Sequence, residues 1–133
     1  MSRSLIQTAN QSDQAVALNS IIVPGSVQRR FGCNIRLSGN AIELAGDGYY
    51  TVDAGLTIAP TAAGDVSVAL FDNGVQIPGA IVTGAGTAGA ELALSLPPVT
   101  IRQRCCDGAD ILTLVLLAGP GTVSNVAIRV IKE

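Results

Sequence analysis

Hydrophobic and polar positions alternate along most of this chain with a period of two. The clearest run is Tyr50-Thr51-Val52-Asp53-Ala54-Gly55-Leu56-Thr57-Ile58, in which Tyr50, Val52, Ala54, Leu56 and Ile58 share one face. Successive side chains on a strand point to opposite sides of the pleat, so this pattern predicts a half-buried β-strand. Related runs occupy residues 31–37, 41–44, 66–71, 75–81, 92–96, 99–104 and 123–131, and a first strand is expected over 14–23. Residues 111–117, Ile-Leu-Thr-Leu-Val-Leu-Leu, are apolar on both faces and predict a strand buried on both sides. Turn residues separate the runs. Asn73-Gly74 between two apolar stretches is a strong hairpin signal, because both positions tolerate positive φ. Residues 83–89, TGAGTAG, read as a small-residue loop. The chain therefore predicts roughly eight to ten strands with turns every 8–12 residues, the pattern of an all-β antiparallel sandwich. Residues 1–13 are more polar and less regular, and are expected to form an N-terminal arm ahead of one domain over 14–133.

Composition changes this picture in one respect. Of 133 residues, 48% are hydrophobic, 14% charged and 3% aromatic, with a mean hydropathy of +0.46. Soluble domains average about 25% charge, and a domain this small buries only about two thirds of its chain surface. The surplus apolar side chains need cover, and a subunit interface is the simplest source of it. No apolar stretch approaches the roughly 18–20 residues of a membrane helix, and the N-terminal residues lack the apolar run of a signal peptide. The net charge of −2 argues against nucleic acid as a partner, since that affinity comes from neutralising many phosphates. The basic pair Arg102 and Arg104 reads as two solvated positions on one strand face.

Candidate chemistry is sparse. Without histidine, Ser-His-Asp and Cys-His nucleophile systems are excluded. Half of the ten acidic residues, Asp47, Asp65, Asp72, Asp107 and Asp110, sit in or beside predicted turns, where such side chains bond their own backbone. The spacing of Asp107 and Asp110 is a weak calcium signal and the one foothold for a carboxylate enzyme. Cys33, Cys105 and Cys106 have no zinc-type spacing and are expected to be reduced, with Cys33 a small core residue; their odd count leaves open a bridge between chains through Cys105 or Cys106. No motif for a cofactor or a metal emerges, and the chain is expected not to be an enzyme.

Four motifs, in order, carry a resemblance. Gly48-Tyr49-Tyr50, Asn73-Gly74-Val75-Gln76-Ile77-Pro78-Gly79, Asp107-Gly108-Ala109-Asp110-Ile111-Leu112 and the closing Val126-Ala127-Ile128-Arg129-Val130 resemble the tumour-necrosis-factor-like and complement-type jelly-roll superfamily over residues 14–131. Within it the chain looks most like the bacterial and phage branch, which includes spore exosporium glycoprotein heads and small phage virion proteins. The resemblance implies a jelly roll of about ten strands assembled as a homotrimer, an arrangement that would cover the apolar surplus. It also places the closing strand along the threefold axis. Candidate axis residues are Tyr50, Val52, Leu114, Leu116, Ile128 and Val130, with ordinary sandwich core as the rival reading for each.

The absence of a collagen-like stalk and of a secretion signal favours a virion protein assembled in the host cytoplasm over a bacterial cell or spore surface. The expected function is a capsid decoration, head-fibre or tail-fibre head. Arg3, Leu5 and Ile6 of the arm are candidates for docking it to another virion protein. The alternative is a trimeric adhesin that recognises host surface glycans through Thr83, Gly84, Gly86 and Thr87.

Overall fold

The structure, a computed structural model, describes residues 3–103 and 110–132. Two antiparallel sheets pack face to face. The first (sheet A) is built on β7 (Gly48–Pro60) and β13 (Gly121–Lys132), which pair along almost their whole length. β1 (Ser4–Asn10) and then β4 (Ser26–Phe31) extend it beyond β13, and the short β2 (Gln14–Val16) caps the start of β13. On the far side of β7 lie β10 (Leu92–Ser95) and β11 (Val99–Gln103), which pair with its two halves. The break between them falls at Pro97-Pro98, where two residues without N–H groups cannot continue a ladder.

The second sheet (sheet B) runs β5 (Ile35–Ser38), β6 (Ala41–Leu44), β12 (Asp110–Ala118), β8 (Gly64–Asp72) and β9 (Val75–Gly86), with β3 (Ser20–Ile21) added to β12. The hairpin expected at Asn73-Gly74 is present: φ is 51° and 83° at the two residues, and Asp72 pairs with Val75 across them. Further along, Ala69 pairs with Ile81 but Phe71 with Gln76, so β9 bulges at Pro78-Gly79, where Gly79 adopts φ of 83°. This is the structural use of the Ile-Pro-Gly segment.

The core lies between the sheets. Tyr50, Val52, Ala54, Leu56 and Ile58 of β7 face Leu112, Leu114 and Leu116 of β12 and Val66, Val68 and Leu70 of β8 within one apolar cluster. The Tyr50 hydroxyl reaches the carbonyl oxygens of Ala45 (3.0 Å) and Gly46 (2.8 Å), so its burial leaves no unmet polar group.

Several expectations are corrected. Residues 4–10 are not an arm: β1 lies inside sheet A, paired with β13 on one side and β4 on the other. The stretch 14–23 divides at Asn19 (φ 59°) into β2 and β3, which join different sheets. The run 31–37 divides at Gly32 (φ 81°). Cys33 lies in that turn and is exposed, not a core residue. β12 is buried on one face only; Ile111, Thr113, Val115 and Leu117 are half-buried on the outside of sheet B.

Candidate functional site

The outer face of sheet A is composed of the residues that alternate with the core. On β7 these are Thr51, Asp53, Gly55, Thr57 and Ala59; on β13, Asn125, Ala127, Arg129 and Ile131; on β1, Leu5, Gln7 and Ala9. Strand register lines them up in rows. One row runs Ala9, Ala127, Gly55 and Ser95 across four strands, and none of its side chains extends beyond a single heavy-atom branch. The next runs Arg29, Gln7, Arg129 and Asp53. Low side chains beside tall ones leave a groove of about 390 Å3, lined by Gln7, Asp53, Gly55, Ser95, Pro98 and Arg129. It is open to solvent and centred on the middle of the sheet.

Two polar clusters flank one end of the sandwich. Arg102 on β11 donates to Asp47 Oδ1 at 2.6 Å and to the Gln103 carbonyl at 2.8 Å, and its guanidinium lies 5.0 Å from the centre of the Tyr49 ring. The Asp47 carboxylate, first of all, holds the Arg102 pKa above its ordinary value. Tyr50 is pushed up by burial and by the nearby charges of Asp110 and Asp47. At the hairpin tip, the Ile111 N–H donates to Asn73 Oδ1 (3.0 Å) and Asn73 Nδ2 donates to Asp110 Oδ1 (3.3 Å), tying the turn to the start of β12. Asp72 stands beside Asp110, and burial followed by that neighbouring carboxylate raises its pKa to about 6. Among the described residues, no group of three or more cysteine or acidic side chains converges to hold a metal ion.

The residues singled out from sequence fall as follows. Tyr50, Val52, Leu114, Leu116, Ile128 and Val130 are all enclosed within the single chain, each no more than 4% exposed. Side chains already packed between the sheets have no area left for a second copy, so any contact along these strands must use their opposite face. Ile6 of the expected docking arm is fully buried and Leu5 half-buried in β1, leaving Arg3 exposed.

Thr83, Gly84 and Gly86 belong to β9 rather than a loop, and Thr87 follows at its end. Their glycines serve packing: a Cβ on Gly84 would stand 2.9 Å from Leu94 Cδ2, and one on Gly86 would stand 2.8 Å from Pro60 Cγ. Thr83 Oγ1 is engaged with Ser67 Oγ at 3.0 Å. Arg104, Cys105, Cys106 and Asp107 lie outside the described residues. The pairing of low and charged rows on sheet A was missed, although the alternation of Asp53 with Gly55 and of Ala127 with Arg129 carries it.

With this geometry in hand, comparison with solved structures identifies the class of fold. Murine APRIL superposes with a TM-score of 0.76 at 8% identity, covering 99% of this chain and 100% of that one. The globular domain of zebrafish complement 1qA gives 0.72 at 9% identity over 94% of each chain. The vertex protein P5 of phage PRD1 gives 0.61 at 13% identity, over 97% of this chain and 96% of that one. No family model and no curated protein matches the sequence. The chain therefore has the tumour-necrosis-factor-like jelly-roll fold. Its likeness to these proteins lies in backbone arrangement, at identities far too low to carry residue roles across.

Proposed function

We propose that the chain is a non-enzymatic structural protein of a phage virion, the homotrimeric head domain of a capsid decoration, head fibre or tail fibre. The observation that carries this reading is the outer face of sheet A. It is a long, regular β-surface with low side chains along its middle, on the fold shared with the PRD1 vertex protein. Small residues let a second backbone approach closely, and a closed cyclic assembly needs such a surface on every copy. The resemblance of the closing strand to one that follows a threefold axis supports placing the outer side of β13 at the centre of the assembly. The small share of charged residues, 14% of the chain, fits a surface partly covered by copies of itself.

Docking to the rest of the particle is assigned here to surfaces other than β1, because that strand is held in the middle of sheet A. Two measurements test the proposal together. Sedimentation equilibrium at micromolar concentration is expected to give the mass of three chains. Mass spectrometry of purified phage particles from the source lysate is expected to find the chain as a stoichiometric component. A monomer in the first, or absence from particles in the second, would overturn it.

A further inference from the structure

We infer that Arg129 and Asp53 pair with each other between copies of this chain, forming a ring of alternating charges at the centre of the assembly. The inference rests on the self-association proposed above and deepens it by naming the contact that sets register. The two residues are direct partners across β13 and β7, on the outer face of sheet A and at the wall of its groove. Within one chain, neither forms an ion pair with the other or with any other described residue; the ion pairs among described residues are Arg36–Glu43 and Arg102–Asp47.

Arg36 and Glu43 are the fitting control. They too are direct cross-strand partners on an outer face, that of sheet B, and there the guanidinium grips one carboxylate oxygen through two nitrogens at 2.7 and 3.1 Å. Register alone thus permits the pair to close, and on sheet A it stays open. An acid and a base left apart in the middle of a grooved face are both available to a second copy. The row beside them, Ala9, Ala127, Gly55 and Ser95, is low enough for that copy to approach.

The occupant is a second copy rather than an unrelated protein because the face carries both complementary charges side by side. Around a threefold axis each Arg129 can meet the Asp53 of the next chain, while its own Asp53 meets the Arg129 of the preceding one. Three copies then present six alternating charges with no net excess. A face carrying only one sign at this position would bring three like charges together. Complementary pairs of this kind fix register and reject wrong partners more than they add raw affinity.

Charge exchange tests the inference by sedimentation velocity on the full chain. Asp53→Arg and Arg129→Asp, each alone, are expected to weaken association by about tenfold or more, and the double exchange to restore it. Single variants that assemble like the parent chain, or a double exchange no tighter than the singles, would overturn the ring while leaving the trimer proposal intact. A monomeric parent chain would overturn both. If a reversed charge prevents folding, Asp53→Asn and Arg129→Gln carry the same test. Each leaves like charges clustered and weakens assembly, and the doubly neutral variant recovers it; equal assembly in all three would sink the ring.

Discussion

Two arginine–carboxylate pairs stand in the same structural relation, directly opposite across neighbouring strands, one on the outside of each sheet. On sheet B, Arg36 and Glu43 close into an ion pair within the chain. On sheet A, Arg129 and Asp53 do not. The rows around them differ in the same sense. Sheet B carries Ile21, Val115, Ala69 and Ile81 in one row across four strands; Ala69 is covered completely by its neighbours, while Ile21 and Ile81 at the ends stay 45% and 38% exposed. Sheet A carries Ala9, Ala127, Gly55 and Ser95, which cannot reach across to cover anything.

Along these rows sheet B is the more apolar and covers its middle; sheet A is more polar and its charges stay apart. Apolar content alone therefore does not mark the surface proposed to meet another copy. Cross-strand neighbours can satisfy an apolar row by themselves, whereas a low row with unpaired charges cannot satisfy itself.

The largest test asks whether both faces rest on one shared core. Leu114 points inward from sheet B and its chain neighbour Val115 points outward. Leu114→Ala is expected to destabilise the fold by about 2–5 kcal/mol through lost burial and the cavity left behind. Val115→Ala, on the half-buried side, should lose less than half as much. Denaturant titration of both variants checks this; equal losses would mean that a second layer covers sheet B.

Next come two substitutions of the same kind, one on each outer face. Ala69→Trp forces a large ring between Val115 and Ile81, and overpacking of this sort costs about 1–3 kcal/mol or more. Ala127 is exposed and lies opposite Gly55 and Ala9, so Ala127→Trp should leave the thermal midpoint of the isolated chain nearly unchanged while abolishing assembly. Thermal denaturation and sedimentation, measured on both variants, read the two effects separately. An Ala69→Trp chain that melts normally, or an Ala127→Trp chain that still assembles, would erase the distinction between the faces.

This distinction was only half legible in the sequence. Alternation in residues 50–58 showed which side chains share a face, and the structure keeps that set together. Period two carries no information about which face the second sheet will cover. Tyr50, Val52, Ile128 and Val130 could therefore be assigned to a subunit axis when they are core. The Asn73-Gly74 hairpin was legible because positive φ at both residues leaves few other conformations.

β1 was not legible, because its inward positions include Ser4 and Thr8 beside Ile6, so no apolar face repeats. Ser4 has a partner that sequence spacing cannot show: its Oγ donates to Asn34 Oδ1 at 3.1 Å and accepts from the Asn34 N–H at 3.2 Å. Residues 83–89 read as a loop in the sequence because small residues and glycine are common in loops. In β9, however, Gly84 and Gly86 are there for what crosses over them.

A third acidic position sharpens the comparison, because its neighbour has the same sign. Asp72, at the end of β8, stands beside Asp110 and holds its proton up to about pH 6 in the folded chain, against an ordinary value of 3.8. A folded-state pKa raised in this way adds stability that is fully present below 3.8 and lost as pH rises through about 6. Asp72→Asn should remove that dependence and stabilise the chain at pH 8 by about 1 kcal/mol, a figure discounted for the solvent screening of a half-buried carboxyl. Melts of both chains between pH 4 and 8, compared as a difference, cancel the titration of the groups away from the Asp72–Asp110 pair. A difference that stays flat across this range would mean that burial and Asp110 do not raise the Asp72 carboxyl.

The smallest effect is expected where the charges are already satisfied. Arg36→Ala breaks the ion pair on sheet B, but the arginine side chain is 64% exposed, and its removal opens the Glu43 carboxylate, 17% exposed in the pair, to water. Exposed pairs of this type contribute about 0–1 kcal/mol, so the thermal midpoint should move by no more than a few degrees and assembly should not change. Arg129→Ala also removes one exposed arginine from an outer face. With no bond inside the chain to lose, it should leave the isolated chain at least as stable as Arg36→Ala does, while weakening assembly. The informative quantity is thus the contrast between the two alanine variants, read by melting and by sedimentation. If Arg36→Ala disrupts assembly and Arg129→Ala does not, the two faces have been assigned the wrong way round, and the apolar row of sheet B, with Ile21 and Ile81 exposed at its ends, becomes the surface that copies share.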